Sequence, residues 1–311
     1  MALPERFPII AIMGPTAVGK TSIAIRLARQ IGAEIVNVDS VQIYKRLDIG
    51  SAKPTPEERA MVPHHLVDIL EPDEPMDAAR FARMARSRIA RILEQGKGVV
   101  LAGGTGLYMR AVLNGISQVP GRHPGLRQSF RQAAERLGVD WLHRQLEAVD
   151  PEAAARVGKN DLYRIIRGLE VFYETGMAMS EWFRAFPPRP LHLEMGRAVL
   201  RIGLMLPRRQ LYKRIEARVD EMMASGFVDE VRGLLDAGFS PRLRPLQSIG
   251  YRHIILFLLG RKTYEEAVYE LKRDTRRFAK RQLTWFRSEP GICWYDARDL
   301  WHEKALWEAL H

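Results

Sequence analysis

Residues 8–28 read PIIAIMGPTAVGKTSIAIRLA, and the reading of this stretch decides the fold. Pro8 to Met13 form an apolar run of strand length, and Ser22 to Ala28 have the apolar spacing of a helix. Between them, Gly14-Pro15-Thr16-Ala17-Val18-Gly19-Lys20-Thr21 fits the pattern G-x-x-x-x-G-K-[ST]. In a strand–loop–helix setting, that pattern curls successive backbone N–H groups around a phosphate. Lys20 adds a positive charge and Thr21 can offer its hydroxyl to Mg²⁺. The helix N-terminus contributes its partial positive charge at the same place. These eight residues are expected to hold a phosphate or diphosphate, with Mg²⁺ as the cofactor and Thr21 as its protein ligand.

Outward from this loop, strand and helix alternate. Glu34 to Val38 reads as a second strand ending at Asp39. Phe81, Met84, Ala85, Ile89, Ile92 and Leu93 keep helical spacing ahead of a terminating Gly96. Gly98 to Ala102 is another short buried strand, followed by Gly103-Gly104-Thr105-Gly106. Such alternation predicts an α/β fold, a parallel sheet flanked by helices, with ligands at the carboxyl ends of the strands. The loops at Gly14, Asp39 and Gly103 all fall at such ends. From Pro120 the pattern turns helical, with helices expected near 125–137, 140–147 and 161–175 and a linker at Phe186 to Pro190. A strand resumes near Val199 to Leu204. The expected organisation is therefore a P-loop core at 1–119, a small all-helical insertion at 120–195, and a return to the core at 196–311.

Composition narrows the class. Hydrophobic residues make up 46% of the 311, enough for a well-buried core. Lys and Arg number 48 against 37 acidic residues, a net charge of +11. That excess suits a polyanionic partner, although solubility alone could also account for it. Cys293 is the single cysteine, which excludes a disulfide framework and a cysteine-based zinc site. No signal peptide or apolar run of membrane length is evident, so a cytoplasmic protein is expected.

Several residues could carry chemistry. Asp39, at a strand end before a helical turn, is either an N-cap or a catalytic or metal-binding carboxylate. The glycine-rich segment after Ala102 is a weak motif that lets backbone approach a ligand, with the Thr105 hydroxyl as a donor. The segment Leu271 to Arg287 reads as a helix in which Lys272, Arg276 and Lys280, and likewise Arg273, Arg277 and Arg281, recur every four residues. Asp274 is the main acid within it, so the helix is expected to present a largely unpaired basic face suited to RNA phosphates. Arg164 and Arg167 form a smaller basic edge. His64 and His65, as neighbours, point different ways and read as structural or polar contacts.

Taken together, the motifs GPTAVGKT, DSVQIYKRLDIGSAKP, HHLVD, GGTGLY, NDLYRIIRGLEV, QSIGYR and TRRFAKRQLTWFR resemble those of the bacterial tRNA dimethylallyltransferases (tRNA isopentenyltransferases). They occur in order over residues 9–287, nearly the whole chain. The resemblance implies transfer of a dimethylallyl group from dimethylallyl diphosphate to the exocyclic amine of the adenosine 3′ of the anticodon. It implies that Gly14 to Thr21 hold the diphosphate, that Asp39 is the general base, and that Thr105 and Arg218 serve the reacting centre. It further implies that Asp39, Ser40, Val41, Gln42, Thr105, Arg127, Tyr163, Arg164, Arg167, Gln247, Gly250, Tyr251 and Arg252 contact tRNA. The basic helix adds Arg276, Arg277, Lys280 and Arg281. Tyr163 departs from the glutamine common at that position in the family. A monomer suffices for this activity.

The chemistry is coherent. An aryl amine becomes strongly acidic only as its nitrogen gains positive charge, so a carboxylate suffices as acceptor. Expelling diphosphate dominates the barrier, and cationic loop donors stabilise that leaving group. Two other activities share the phosphate loop: prenyl transfer to free adenine nucleotides, and a small-molecule P-loop kinase. Neither accounts for the helical insertion together with the arginine-rich C-terminal region. A non-catalytic RNA-binding protein would not need Lys20, Thr21 and Asp39 intact.

Overall fold

The computed structural model describes residues 9–300 apart from 118 and 120–122. Its sheet has six strands: β1 (Ile9–Met13), β2 (Ala33–Asn37), β3 (His64–His65), β4 (Gly98–Gly103), β5 (Val199–Met205) and β6 (Cys293–Asp296). They are ordered β3-β2-β4-β1-β5-β6 and pair in parallel throughout. The fold is α/β. β1, β2 and β4 are buried along their whole length, which is why they read as continuous apolar runs. β3 and β6 escape sequence reading because they are short edge strands without such a run.

Among the described residues, α1 (Lys20–Ile31), α2 (Pro56–Met61), α3 (Ala78–Glu94) and α4 (Gly106–Asn114) are followed by five helices of the insertion. These are α5 (Pro124–Leu137), α6 (Val139–Val149), α7 (Pro151–Arg156), α8 (Leu162–Thr175) and α9 (Met179–Ala185). Then come α10 (Leu191–Met195), α11 (Arg208–Ala224), α12 (Phe227–Asp236), α13 (Tyr251–Leu258) and α14 (Tyr264–Arg287). α14 begins at Tyr264 rather than Leu271, because Thr263 and Glu266 form a capping box there. Two apolar clusters fill the sheet's faces. One joins Phe81, Ile89 and Val112 to Phe227, Tyr251 and Phe286, and the other joins Ile12, Leu27 and Ile35 to Leu211, Ile215 and Ala279.

The chain separates into two compact units, one formed by residues up to Leu113 and from Leu191 onward, the other by Asn114–Pro190. The sequence places these divisions near 120 and 195 instead. Pro120 lies outside the described residues. At the other end α10 goes with the core, because Leu191 is fully buried in its larger cluster. The Asn114–Pro190 unit has its own core of Leu142, Leu146, Ile165, Ile166 and Leu169. A methyl group at Gly168 would lie 2.6 Å from Leu146, so glycine lets α8 pack closely on α6.

Candidate active site

The strand order puts β2, β4 and β1 side by side, so the loops following them converge at one edge of the sheet. After β1 the backbone turns sharply. A side chain at Gly14 would meet the Leu204 carbonyl oxygen at 2.7 Å. Ala17 and Gly19 both have left-handed backbone angles. Gly19 caps α1 without a side-chain bond, so the first-turn N–H groups are left to an anion. Lys20 Nζ lies across the loop and donates to the Gly14 and Pro15 carbonyl oxygens at 3.1 and 2.8 Å.

Helix α11 supplies two guanidinium groups to this loop. Arg218 Nη1 donates to Thr16 Oγ1 at 3.2 Å, and Arg214 Nη1 donates to the Val18 carbonyl oxygen at 3.3 Å. Burial pushes the Lys20 ammonium down to about 7, with nearby Arg218 adding to the fall and Asp39 opposing it. Burial likewise lowers Arg218, again against the attraction of Asp39. Two partly buried cations thus face one carboxylate, with an excess of positive charge.

Asp39 follows β2. Its Oδ1 accepts from the Val41 and Gln42 N–H groups at 2.8 and 3.3 Å, while Oδ2 has no hydrogen bond among the described residues. No helix follows Asp39 directly, so it caps none; one oxygen instead holds the turn and the other is open. Thr105, after β4, accepts from the Ser40 N–H at 3.1 Å and donates to Ser40 Oγ at 3.4 Å, tying this turn to the next loop. Gly103 permits that approach, since a methyl group there would overlap the Val38 carbonyl. Asp39, Thr105, Lys20, Thr16 and Arg218 are thus brought together.

Other residues expected at the surface are engaged elsewhere. Tyr251 is fully buried and donates its hydroxyl to Glu230 at 2.7 Å, and Gly250 is buried with φ 100°. Tyr251 is a correction, because a side chain enclosed in the core cannot touch RNA. Gln42 Nε2 donates to the Ser51 and Ala52 carbonyl oxygens, both at 2.9 Å, so it braces its loop. Gln247 is exposed and bonds Pro241, while Arg252 pairs with Asp274 at 2.6 Å.

The expectation of a largely unpaired basic face on α14 is also corrected. Lys272 pairs with Asp220 and Arg276 with Glu216, both on α11, at 2.6 and 2.7 Å. Arg273 pairs with Asp274 at 3.0 Å. Arg277 is exposed, only 3.6 Å from Asp274, while Lys280 and Arg281 are exposed without acidic partners among the described residues.

In the Asn114–Pro190 unit, Arg127 and Arg167 both pair with the fully buried Glu170, at 2.8 and 2.6 Å. These two cations, with the His123 N–H, hold the Glu170 carboxyl down at about 2 despite its burial. Tyr163 is exposed beneath the Arg127 guanidinium, and Arg164 is exposed beside Asp161.

Sequence reading missed two residues. Gln282 is buried on α14, where its Oε1 accepts from the Thr16 N–H at 2.9 Å and its Nε2 donates to the Gly104 carbonyl oxygen at 2.8 Å. Glu230 accepts from the N–H groups of Asp48, Ile49 and Gly50 at 3.0, 2.6 and 3.1 Å, as well as from Tyr251. The available signal was a polar residue at an apolar-stripe position: Gln282 between Ala279 and Phe286, Glu230 between Phe227 and Val231. His65 bonds Glu34 at 2.6 Å, and no group of three potential metal ligands exists among the described residues.

The family model described as IPP transferase matches residues 42–289. The chain belongs to the IPP transferase family. A tRNA dimethylallyltransferase of Syntrophobacter fumaroxidans is 49% identical over 294 residues, covering 94% of this chain and 84% of that protein. The crystal structure of a tRNA isopentenylpyrophosphate transferase from Bacillus halodurans is similar at 39% identity and TM-score 0.69, covering 94% of this chain and 90% of that one. A eukaryotic dimethylallyltransferase described as acting on tRNA is similar at 28% identity and TM-score 0.80, covering 97% of this chain and 77% of that one. No helix among the described residues is long and apolar enough to cross a membrane.

Proposed function

We propose that this chain transfers a dimethylallyl group from dimethylallyl diphosphate to the N6 amine of the adenosine 3′ of the anticodon in tRNA, releasing diphosphate. The observation that carries this reading is a cationic loop after β1 and an open Asp39 oxygen after β2 at the same edge of the sheet, with only β4 between the two strands. A kinase would use the same loop. The family and its named relatives instead favour prenyl transfer to tRNA.

As the donor's C–O bond breaks, negative charge builds on the diphosphate. The N–H groups at the start of α1, with Lys20 and Arg218, lie where they stabilise that charge, each well-placed donor contributing about 10²–10³ in rate. As the C–N bond forms, the amine nitrogen becomes cationic and gives its proton to Asp39 Oδ2. Thr105 fixes the Asp39–Ser40 turn and so the direction in which that oxygen points. Lys20 enters the cycle short of a full proton near neutral pH, and an arriving diphosphate restores it.

The Thr21 hydroxyl makes no hydrogen bond among the described residues, so it would be open to hold a Mg²⁺ ion at the diphosphate. When bound, that ion supplies charge neutralisation at the diphosphate. The exposed Arg277, Lys280 and Arg281, with Tyr163 and Arg164, are the cations and aromatic ring available to RNA. One chain contains every residue named, so a monomer suffices, and a tRNA substrate suits the cytoplasm.

Purified protein with Mg²⁺, labelled dimethylallyl diphosphate and unmodified tRNA should move label onto the RNA. Label on free AMP or ATP alone would favour the nucleotide prenyltransferase, and phosphorylation from ATP without prenyl transfer would favour the kinase.

A further inference from the structure

Helix α14 has two distinct faces. Outward it carries Arg277, Lys280 and Arg281, and inward it buries Ala279, Gln282 and Phe286. The inward face is keyed to both glycine loops of the candidate site. The Gln282 amide spans from the Thr16 N–H to the Gly104 carbonyl oxygen. A side chain at Gly104 would lie 2.4 Å from Gln282 Nε2, so that approach requires glycine. One turn on, the Trp285 ring occupies the space a side chain at Gly106 would need, at 2.3 Å. The Arg110 guanidinium lies over the same ring, 4.2 Å from its centroid. The helix therefore grips the backbone on both flanks of Thr105, and through Thr16 it also reaches the residue whose hydroxyl accepts from Arg218.

We propose that Gln282 is a positioning residue that couples α14 to the phosphate loop, so that RNA seated on the outer face of the helix and diphosphate held in the loop strengthen each other's binding. The inference rests on the prenyl-transfer reading for the identity of the two ligands. The side-chain amide suits this task because it bridges the two loops, accepting from one and donating to the other. It consumes the Thr16 N–H and leaves those at the start of α1 to the diphosphate. A shift of α14 against the sheet stretches both bonds at once, so ordering the helix orders both loops. Coupling is reciprocal, so the donor should tighten RNA binding by the factor with which RNA tightens donor binding.

The experiment compares wild type with Gln282→Met, which keeps size and loses both bonds, and Gln282→Glu, which keeps only the acceptor. Binding of inorganic diphosphate is measured with and without an unmodified anticodon stem-loop, and KM for each substrate is taken from turnover. In the wild type, RNA should tighten diphosphate binding by about tenfold, the effect expected of one or two hydrogen bonds. In Gln282→Met that factor should fall to near one, with the KM of each substrate, taken with the other saturating, raised about tenfold and RNA affinity in the absence of donor within twofold. Gln282→Glu should fall between them. Amide hydrogen exchange of residues 14–19 in the wild type should slow when the stem-loop alone is added. An unchanged coupling factor in Gln282→Met, or a lowered Tm with an unaltered donor KM, would overturn the proposal in favour of a purely structural glutamine. Exchange at 14–19 indifferent to RNA would overturn it without recourse to any variant. Wild-type protein that transfers no label to tRNA would instead refute the prenyl-transfer reading, a separate outcome.

Discussion

Replacing Lys20 by methionine should stabilise the protein at neutral and mildly acid pH while removing diphosphate binding. The ammonium is buried beside Arg218, and the fall from its usual 10.5 to about 7 corresponds to about 5 kcal/mol of stability given up wherever the folded protein must hold that proton. Methionine fills similar volume without the charge. It forfeits the bonds to the Gly14 and Pro15 carbonyl oxygens, together worth about 2 kcal/mol. The expected net gain at pH 6 is therefore about 3 kcal/mol.

The pH dependence is diagnostic. Between about 7 and 10.5 the unfolded chain holds the Lys20 proton and the folded protein does not. Wild-type stability from this group therefore climbs with pH in that window by about 1.4 kcal/mol per unit. Lys20→Met has no such climb, so its advantage should shrink to about zero near pH 9. Urea unfolding of both proteins at pH 6, 7, 8 and 9 reads this directly. Stability curves that stay parallel from pH 7 to 9, or a variant less stable at pH 6, would refute the burial argument. The same reasoning requires the wild type to take up nearly one proton on binding diphosphate at pH 8. Calorimetry in buffers of different ionisation heat would detect it.

Asp39→Asn keeps the acceptor that holds Val41 and Gln42, so turnover should fall about 10²–10⁴-fold with tRNA affinity nearly intact. Unchanged single-turnover rates would remove Asp39 from proton transfer. Glu230→Ala strands three backbone donors and the Tyr251 hydroxyl, and should lower unfolding stability by about 3 kcal/mol. Tyr251→Phe, read in the same urea titration, should lose about 1 kcal/mol. Replacing Arg277, Lys280 and Arg281 by alanine should reduce the slope of log affinity for tRNA against log salt by about 0.7–0.9 for each RNA phosphate no longer neutralised. Arg276→Ala should leave that slope nearly unchanged, because its guanidinium is already paired with Glu216.

The core strands β1, β2 and β4 and the long helices were legible because burial on both faces, or on one helical stripe, leaves a periodicity in the chain itself. The shape of the loop after β1 was legible because its conformation demands glycine at 14 and 19. The edge strands β3 and β6 were not legible: two and four residues at a sheet margin carry no pattern of their own. Tyr251 was misread because a motif records that residues matter without recording which way they face. Gln282 and Glu230 stood in apolar stripes as polar exceptions. Only the fold shows that their partners are backbone groups more than 170 residues away.

The same separation accounts for the charge on α14. Among its inner cations Lys272 and Arg276 draw their partners from α11, and the partners, Glu216 and Asp220, sit four residues apart on that helix. Arg214 and Arg218, also four apart, occupy a different face of α11 and reach the phosphate loop instead. One helix thus sorts its charges, sending cations to the glycine loop after β1 and acids to its basic neighbour. Without those acids, Arg276 and Lys272 would repel the cations already crowded behind the loop, where Lys20 is held down to about 7. Acids on α11 that neutralise the inner cations of α14 leave the uncompensated ones, Lys280, Arg281 and most of Arg277, facing solvent. The exposed basic face and the cationic loop after β1 can then lie in one small fold because the cations of α14 that pack on α11 are neutralised there by Glu216 and Asp220.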